Sequence, residues 1–194
     1  MKRDALTATL AFLVFSAMLF SYPAHARDIS GLCFKAGIGG EELSLIKAAY
    51  VDAVDAGIDE EELYAFFESI LGYGLNCPQL VTVLSKSAAL RNEGLPFWPL
   101  FSKVREGIAK GVPTGKIVEI VDERSSSLSE AARVIEELKQ RQYMTKDYEG
   151  AVISISSYIE KGYSPDDIVE RIINRGIENS GFSGLTVFLG KENN

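Results

Sequence analysis

The chain has 194 residues, 46% of them hydrophobic, and its formal net charge is −7 at pH 7. An acidic chain without a basic block repels phosphate backbones and anionic lipid surfaces, which argues against nucleic acid or an anionic membrane surface as a partner. The length suits one domain with a hydrophobic core of its own.

The first 26 residues have the pattern of a secretory signal peptide. Lys2 and Arg3 precede a nearly uncharged apolar run over residues 5–22, and Ala24-His25-Ala26 is a small-x-small cleavage signal. We therefore expect export, to the periplasm or outside the cell, and a single mature domain of residues 27–194 without a membrane span. An uncleaved N-terminal anchor is the alternative, because the apolar run is long for a signal peptide and short for a membrane span.

Cleavage would change the net charge of the chain and the side chains available for catalysis. It would remove Lys2, Arg3 and Asp4, so that the net charge becomes −8, and also His25, the one histidine of the chain. Without histidine, Ser-His-Asp and Cys-His hydrolysis lack their base, and the common catalytic metal sites lack a ligand. The sequence also has no glycine-rich phosphate loop. It therefore favours a protein that is not an enzyme and has no cofactor and no metal.

The two cysteines, Cys33 and Cys77, belong to a chain that we expect in an oxidising compartment, which predicts a disulfide bond between them. This bond would join the N-terminal segment to the start of the third helix and would stabilise the fold by about 4 kcal/mol. The spacing of the two residues does not fit a Cys-x-x-Cys redox motif.

Apolar residues recur at helical spacing through most of the chain, and glycine or proline separates the segments. After an irregular segment at 27–40, a helix is predicted at about 41–55. Asp59 is predicted to cap the second helix, because the carboxylates that follow it suit a positive first turn. The third helix is predicted at about 77–91, with Pro78 in its first turn.

Similar patterns predict the remaining helices. Gly94-Leu-Pro96 opens a helix whose inward stripe contains Phe97 and Phe101. A short helix after Pro113 is predicted to end before Ser125-Ser-Ser127, which would cap a separate, longer helix. Thr145 is predicted to cap a further helix, and Ser164-Pro165 is predicted to open another. A short last helix at residues 182–188 would precede a polar tail at 190–194.

No run alternates with period two for long enough to indicate a strand, so the sequence predicts an all-α fold of eight or nine short helices joined by Gly/Pro turns. Gly37, Gly74 and Gly111 are 37 residues apart, and Gly111 and Gly162 are 51 apart. Two helices in about 37 residues are typical of an α-solenoid-like array of helix pairs. An irregular helical bundle is the alternative.

Carboxylates could support two other kinds of site. Glu68-Ser69 resembles the catalytic Glu-Ser of lytic transglycosylases, which are helical, exported enzymes, although the Gly-Leu-Met-Gln element of that family is missing. This resemblance implies a glycan-acting enzyme with carboxylates alone as an alternative function. The acidic residues after Asp52 do not fit a calcium loop, because Leu63 stands where its last glutamate is needed.

Residues 97–101 carry three aromatic side chains, among them the one tryptophan, Trp98. Trp98 is either a lid on the core or an anchor for a partner, and Arg105 is predicted beside it. With Lys103 and Lys110 they form a basic surface on an acidic protein, suited to an acidic partner segment. We therefore predict a non-enzymatic, exported protein that binds a protein or peptide. A small-molecule binder with an apolar pocket between the aromatic helices is the other alternative.

Overall fold

The computed structural model describes residues 28–191. The predicted signal peptide and its cleavage site therefore lie outside the described residues, as do the last three residues of the predicted tail. Within the described range, no helix combines the length and the apolar character that a membrane span requires.

Eight α-helices follow one another in residues 28–191: α1 (Ser30–Lys35), α2 (Gly40–Asp55), α3 (Glu60–Ile70), α4 (Cys77–Asn92), α5 (Trp98–Ala109), α6 (Thr114–Gln140), α7 (Tyr148–Glu160) and α8 (Pro165–Arg175). A 3-10 helix covers Ser183–Val187. Two strands, β1 (Tyr143–Thr145) and β2 (Leu189–Lys191), pair antiparallel. The all-α prediction is confirmed. The small sheet was missed because three-residue strands are too short to show alternation.

Side-chain caps begin several of these helices. Asp59 accepts a hydrogen bond from the Glu62 backbone N–H at 2.9 Å, and Ser164 accepts one from Asp167 at 3.1 Å, so both predicted caps are confirmed. The predicted cap at Thr145 is wrong. Thr145 belongs to β1, and the Asp147 carboxylate caps α7 through the Gly150 N–H at 3.0 Å.

The predicted break at Ser125-Ser-Ser127 is also wrong, because α6 runs through it without interruption. Ser125 and Ser127 are buried, and the Ser127 hydroxyl donates to the Glu123 carbonyl at 3.0 Å. Serine weakens a helix by only about 0.5 kcal/mol, and no glycine or proline occurs between residues 116 and 149. The apolar face of α6 therefore continues across the serines, and its burial keeps this segment helical.

The segment predicted to be irregular contains α1. The Asp28 carboxylate accepts hydrogen bonds from the Ser30 hydroxyl at 2.5 Å and from its backbone N–H at 3.0 Å, and it pairs with Lys47 of α2 at 3.1 Å. These hydrogen bonds and the Lys47 ammonium lower the pKa of Asp28 to about 2. At the other end of the domain, Gly190 and Lys191 are part of β2 rather than of a polar tail.

The structure does not contain the predicted disulfide bond: Cys33 and Cys77 are free, buried thiols. The Cys77 thiol donates to the backbone carbonyl of Glu42 at 3.5 Å, so a hydrogen bond occupies it. Burial raises the pKa of both thiols, which disfavours the reactive thiolate.

Helices two apart in the chain pack side by side: α2 on α4, α4 on α6, α6 on α8, and α3 on α5. Polar contacts between successive helix pairs join residues 34 to 36 positions apart. They are Glu42–Cys77, Gly57–Arg91, Ser69–Arg105, Gln79–Thr114, Lys86–Asp122 and Glu93–Ser129. The period indicated by the glycines is therefore repeated in the tertiary contacts, as in an array of helix pairs.

The array loses its regularity at α6. This helix has 27 residues, whereas α2 and α4, which occupy the equivalent positions, have 16 each. The three added turns account for most of the longer spacing between Gly111 and Gly162. They also let α6 pack against α4, α5, α7, α8 and β1, so it forms the centre of the molecule.

Candidate functional site

A cleft of about 540 Å³ lies where the second helix pair meets the third. We call it the central cleft. The turn after α4, one face of α6 and the first residue of α7 form its walls. Its lining includes Glu93, Leu95, Ser129, Arg133, Glu137 and Tyr148. The lining residues of α6 all lie in its C-terminal half, and α6 has 27 residues whereas α5 has 12.

The polar groups of the central cleft are partly paired. The Ser129 hydroxyl donates to Glu93 at 3.5 Å, and Lys139 pairs with Glu136 at 2.6 Å. Burial and the Glu136 carboxylate raise the pKa of Tyr148. The side chains of Arg133 and Glu137 make no hydrogen bond or ion pair with another residue in the range 28–191. Two side chains of opposite charge are therefore available to a ligand.

Trp98, the first residue of α5, is not one of the residues that line this cleft, but it is hydrogen-bonded to the residue that follows the lining residue Tyr148. Its side chain is 43% exposed, and its indole Nε1 donates to the Glu149 carboxylate at 2.6 Å. Glu149 follows the lining residue Tyr148 in the first turn of α7. The hydrogen bond fixes the indole across a gap of 51 residues in sequence and leaves much of the ring open to solvent.

The other predicted binding residues do not gather with Trp98. The Arg105 guanidinium donates to Ser69 at 3.1 Å and lies 5.5 Å from the centre of the Phe66 ring. Arg105 therefore holds α5 against α3, whereas Trp98 joins α5 to α7.

The two predicted lysines share one carboxylate. Lys103 and Lys110 both pair with Glu106, at 3.5 Å and 2.5 Å. The hydrogen bond from Lys110 and the charge of Lys103 lower the pKa of Glu106. Lys116, a further cation of this segment, pairs with Glu119 at 2.6 Å. The surface predicted to be basic thus carries matching carboxylates.

Sequence reasoning missed the central cleft, because its walls come from separate segments. Glu93 and Ser129 are 36 residues apart, and Tyr148 lies further along the chain. One signal was present: Ser129, Arg133, Glu136 and Gln140 form a polar stripe along a single helix.

Neither alternative site has the surroundings that its chemistry needs. Glu68 lies on the exposed face of α3, whereas the general acid of a glycosidase lies in a pocket that desolvates it. The aromatic helices pack on each other, with Phe66 and Phe101 stacked at 3.8 Å between ring centroids, so their own rings fill the expected apolar pocket. Within residues 28–191, no three His, Cys, Asp or Glu side chains group as metal ligands would.

Comparison of the chain with protein-family models, with curated proteins and with solved structures gave no match. The central cleft and the array that carries it are therefore the basis on which a function can be inferred.

Proposed function

We propose that the protein is an exported, non-enzymatic helical module that binds a protein or peptide partner in the cell envelope or outside the cell. The observation that carries this proposal is the central cleft together with the half-exposed Trp98 indole, which is hydrogen-bonded to the residue that follows the lining residue Tyr148. Tryptophan is enriched among the residues that dominate binding energy, because it combines a large apolar area with a polar N–H.

Two further features support a polypeptide as the ligand. Arrays of helix pairs present extended surfaces along which other chains bind. The side chains of Arg133 and Glu137 have no partner among the described residues, so they can form hydrogen bonds and ion pairs with a bound segment without breaking existing ones.

Capture of the partner tests the proposal. The full chain, expressed in its own host with a C-terminal tag, is purified together with any bound protein, and the mass of the tagged chain shows whether it begins at Arg27. We expect Trp98→Ala to weaken partner binding at least about tenfold, in line with the loss of an anchor residue. The matched control is Tyr73→Ala, which removes another exposed aromatic side chain after α3.

Binding to a specific partner that depends on Trp98 and not on Tyr73 supports the proposal. If Trp98→Ala, Arg133→Ala and Glu137→Ala all retain every captured partner at wild-type affinity, the central cleft is not the binding site.

A further inference from the structure

We propose that the central cleft is the middle of a longer acidic groove and that its occupant is an extended, basic segment of a partner polypeptide. This inference rests on the proposed function, since it names the chemistry of the partner. It differs from the acidic partner that the sequence indicated, because the lysines behind that expectation are paired with Glu106.

A second cleft, of about 460 Å³, lies between α2 and α4. Asp52 and Asp55 line it from α2, and Asn92 lines it from the end of α4. Asn92 immediately precedes Glu93, a lining residue of the central cleft. Both clefts therefore have residues of the C-terminal end of α4 in their linings, at equivalent places in successive helix pairs.

A third cleft, of about 310 Å³, continues the row on the side of α8. Glu137 lines both this cleft and the central one. Asp166 and Glu170 of α8 and Arg141 complete its polar lining. The three clefts thus follow the order in which α2, α4, α6 and α8 pack side by side. We call them together the acidic groove.

The charge of the acidic groove favours a basic occupant. Seven carboxylates line it against two guanidinium groups, Arg133 and Arg141. Asp52, Asp55 and Asp166 have no ion-pair partner within residues 28–191. A basic segment would neutralise these charges, whereas an acidic one would meet repulsion along the whole row.

The floor of the groove is apolar in each of the three clefts. It contains Ala56 and Ala88, then Leu95 and Ala132, then Val169 and Ile173. An extended chain points successive side chains in opposite directions, so a segment that alternates apolar and cationic residues could meet both the floor and the carboxylates. Packed helices lie about 8–10 Å apart, and four in a row therefore span about 25–30 Å, the length of roughly nine extended residues.

Titration of the full chain, purified from its export host, with nine-residue peptides tests the inference. One probe alternates lysine and valine, and a matched probe has glutamate in place of every lysine. Trp98 is the one tryptophan of the chain and is hydrogen-bonded to the residue after the lining residue Tyr148, so its fluorescence reports binding to tryptophan-free peptides. We expect the lysine probe to bind at least about thirtyfold more tightly than the glutamate probe, and added salt to weaken it.

Variants distinguish binding of the lysine probe in the groove from a general electrostatic attraction between a basic peptide and an acidic protein. Asp52→Asn, Glu137→Gln and Glu170→Gln remove one carboxylate at each part of the groove, and each is expected to weaken the lysine probe about two- to fivefold. The matched control is Glu123→Gln with Glu130→Gln, a larger charge change on α6 that faces a different cleft. An equal loss in the control, or an effect of Glu137→Gln alone, would overturn the extended groove.

The outcomes also separate this inference from the proposed function. If the lysine probe does not bind, but a captured partner is still released by Trp98→Ala, the function stands and the basic occupant is wrong. If neither the probe nor any partner depends on the groove or on Trp98, both proposals fail.

Discussion

At the scale of the residue, Arg124 shows how a charge can be placed inside a helical core. Its side chain is only 7% exposed, and its guanidinium pairs with Glu160 at the end of α7 at 2.9 Å. Its Nε has no hydrogen-bond partner in the described part of the chain. Burial of the Arg124 guanidinium carries a large desolvation cost. The ion pair with Glu160 offsets this cost by compensating the buried charge.

Removal of one partner of the Arg124–Glu160 pair should lower the free energy of unfolding much more than replacement of both. We expect Glu160→Ala to lower the free energy of unfolding by about 2–4 kcal/mol, because it leaves Arg124 buried and unpaired. Arg124→Met combined with Glu160→Met should recover most of the loss. Urea denaturation measures both, with Glu119→Ala as the control, since it breaks an exposed pair with Lys116. A cost for Glu160→Ala no larger than for Glu119→Ala would contradict this account.

The two cysteines allow a second test at this scale. Because both thiols are buried and free, we expect the folded protein to resist alkylation and to take up two alkyl groups after unfolding in urea. Intact mass spectrometry counts these groups directly. A native mass lower by two hydrogens, restored by a reductant, would instead show the disulfide bond that the sequence predicted.

At the scale of the element, most helices are readable from local signals because their stops and caps lie beside them in sequence. Asp59, Gly111 and Ser164 mark boundaries that the structure has within a residue or two. The boundaries that could not be predicted are those set by packing. The buried face of α6 carries that helix through three serines. Before α7, the backbone N–H groups of Lys146 and Asp147 donate to the distant Phe188 carbonyl, and α7 begins only at Tyr148.

The contact between α5 and α6 depends on Gly107. A Cβ atom there would lie 2.7 Å from Cγ1 of Ile117, so the two helices approach more closely than alanine allows. We expect Gly107→Ala to cost about 1–3 kcal/mol of stability, although alanine is the better helix former. The control is Gly115→Ala in α6, where nothing lies within 4 Å and the change should be neutral or stabilising by up to about 1 kcal/mol.

A double-mutant cycle identifies the cause of the Gly107 effect. In an Ile117→Ala background the new methyl group has room, so Gly107→Ala should cost less there than in the wild-type chain. Thermal or urea unfolding of the four proteins supplies the comparison. Equal costs in both backgrounds would mean that the close contact with Ile117 does not explain the loss.

At the scale of the whole molecule, stability should be distributed unevenly along the array. The long helix α6 packs against five other elements, whereas α2 and α3 belong to the first helix pair and adjoin only one following pair. In an array of this kind each unit is stabilised by its neighbours, so a terminal unit opens at a lower free energy.

Hydrogen exchange can measure this gradient. We expect the amides of α6 to exchange most slowly, through global unfolding, and those of α2 and α3 to exchange through partial opening at a lower free energy. Native-state exchange followed by mass spectrometry at increasing urea resolves the two classes. A single opening free energy shared by α3 and α6 would show a molecule that unfolds as one unit.

The candidate site also belongs to this scale. The sequence singled out Trp98 because it is the one tryptophan, but the Glu149 that holds it is 51 residues away. Nothing in the sequence distinguishes Glu93, Glu137 and Asp166 from the other carboxylates. They become parts of one groove only when α4, α6 and α8 pack side by side.

The sequence by itself determined the helical class, most helix boundaries and the period of about 37 residues, because helical spacing, caps and glycine stops act over a few neighbouring residues. The tertiary structure decided the continuity of α6, the state of the two thiols and which charges are already paired. Several of the contacts involved join groups about 35 residues apart, such as Cys77 with Glu42 or Ser69 with Arg105, which meet only when successive helix pairs stack.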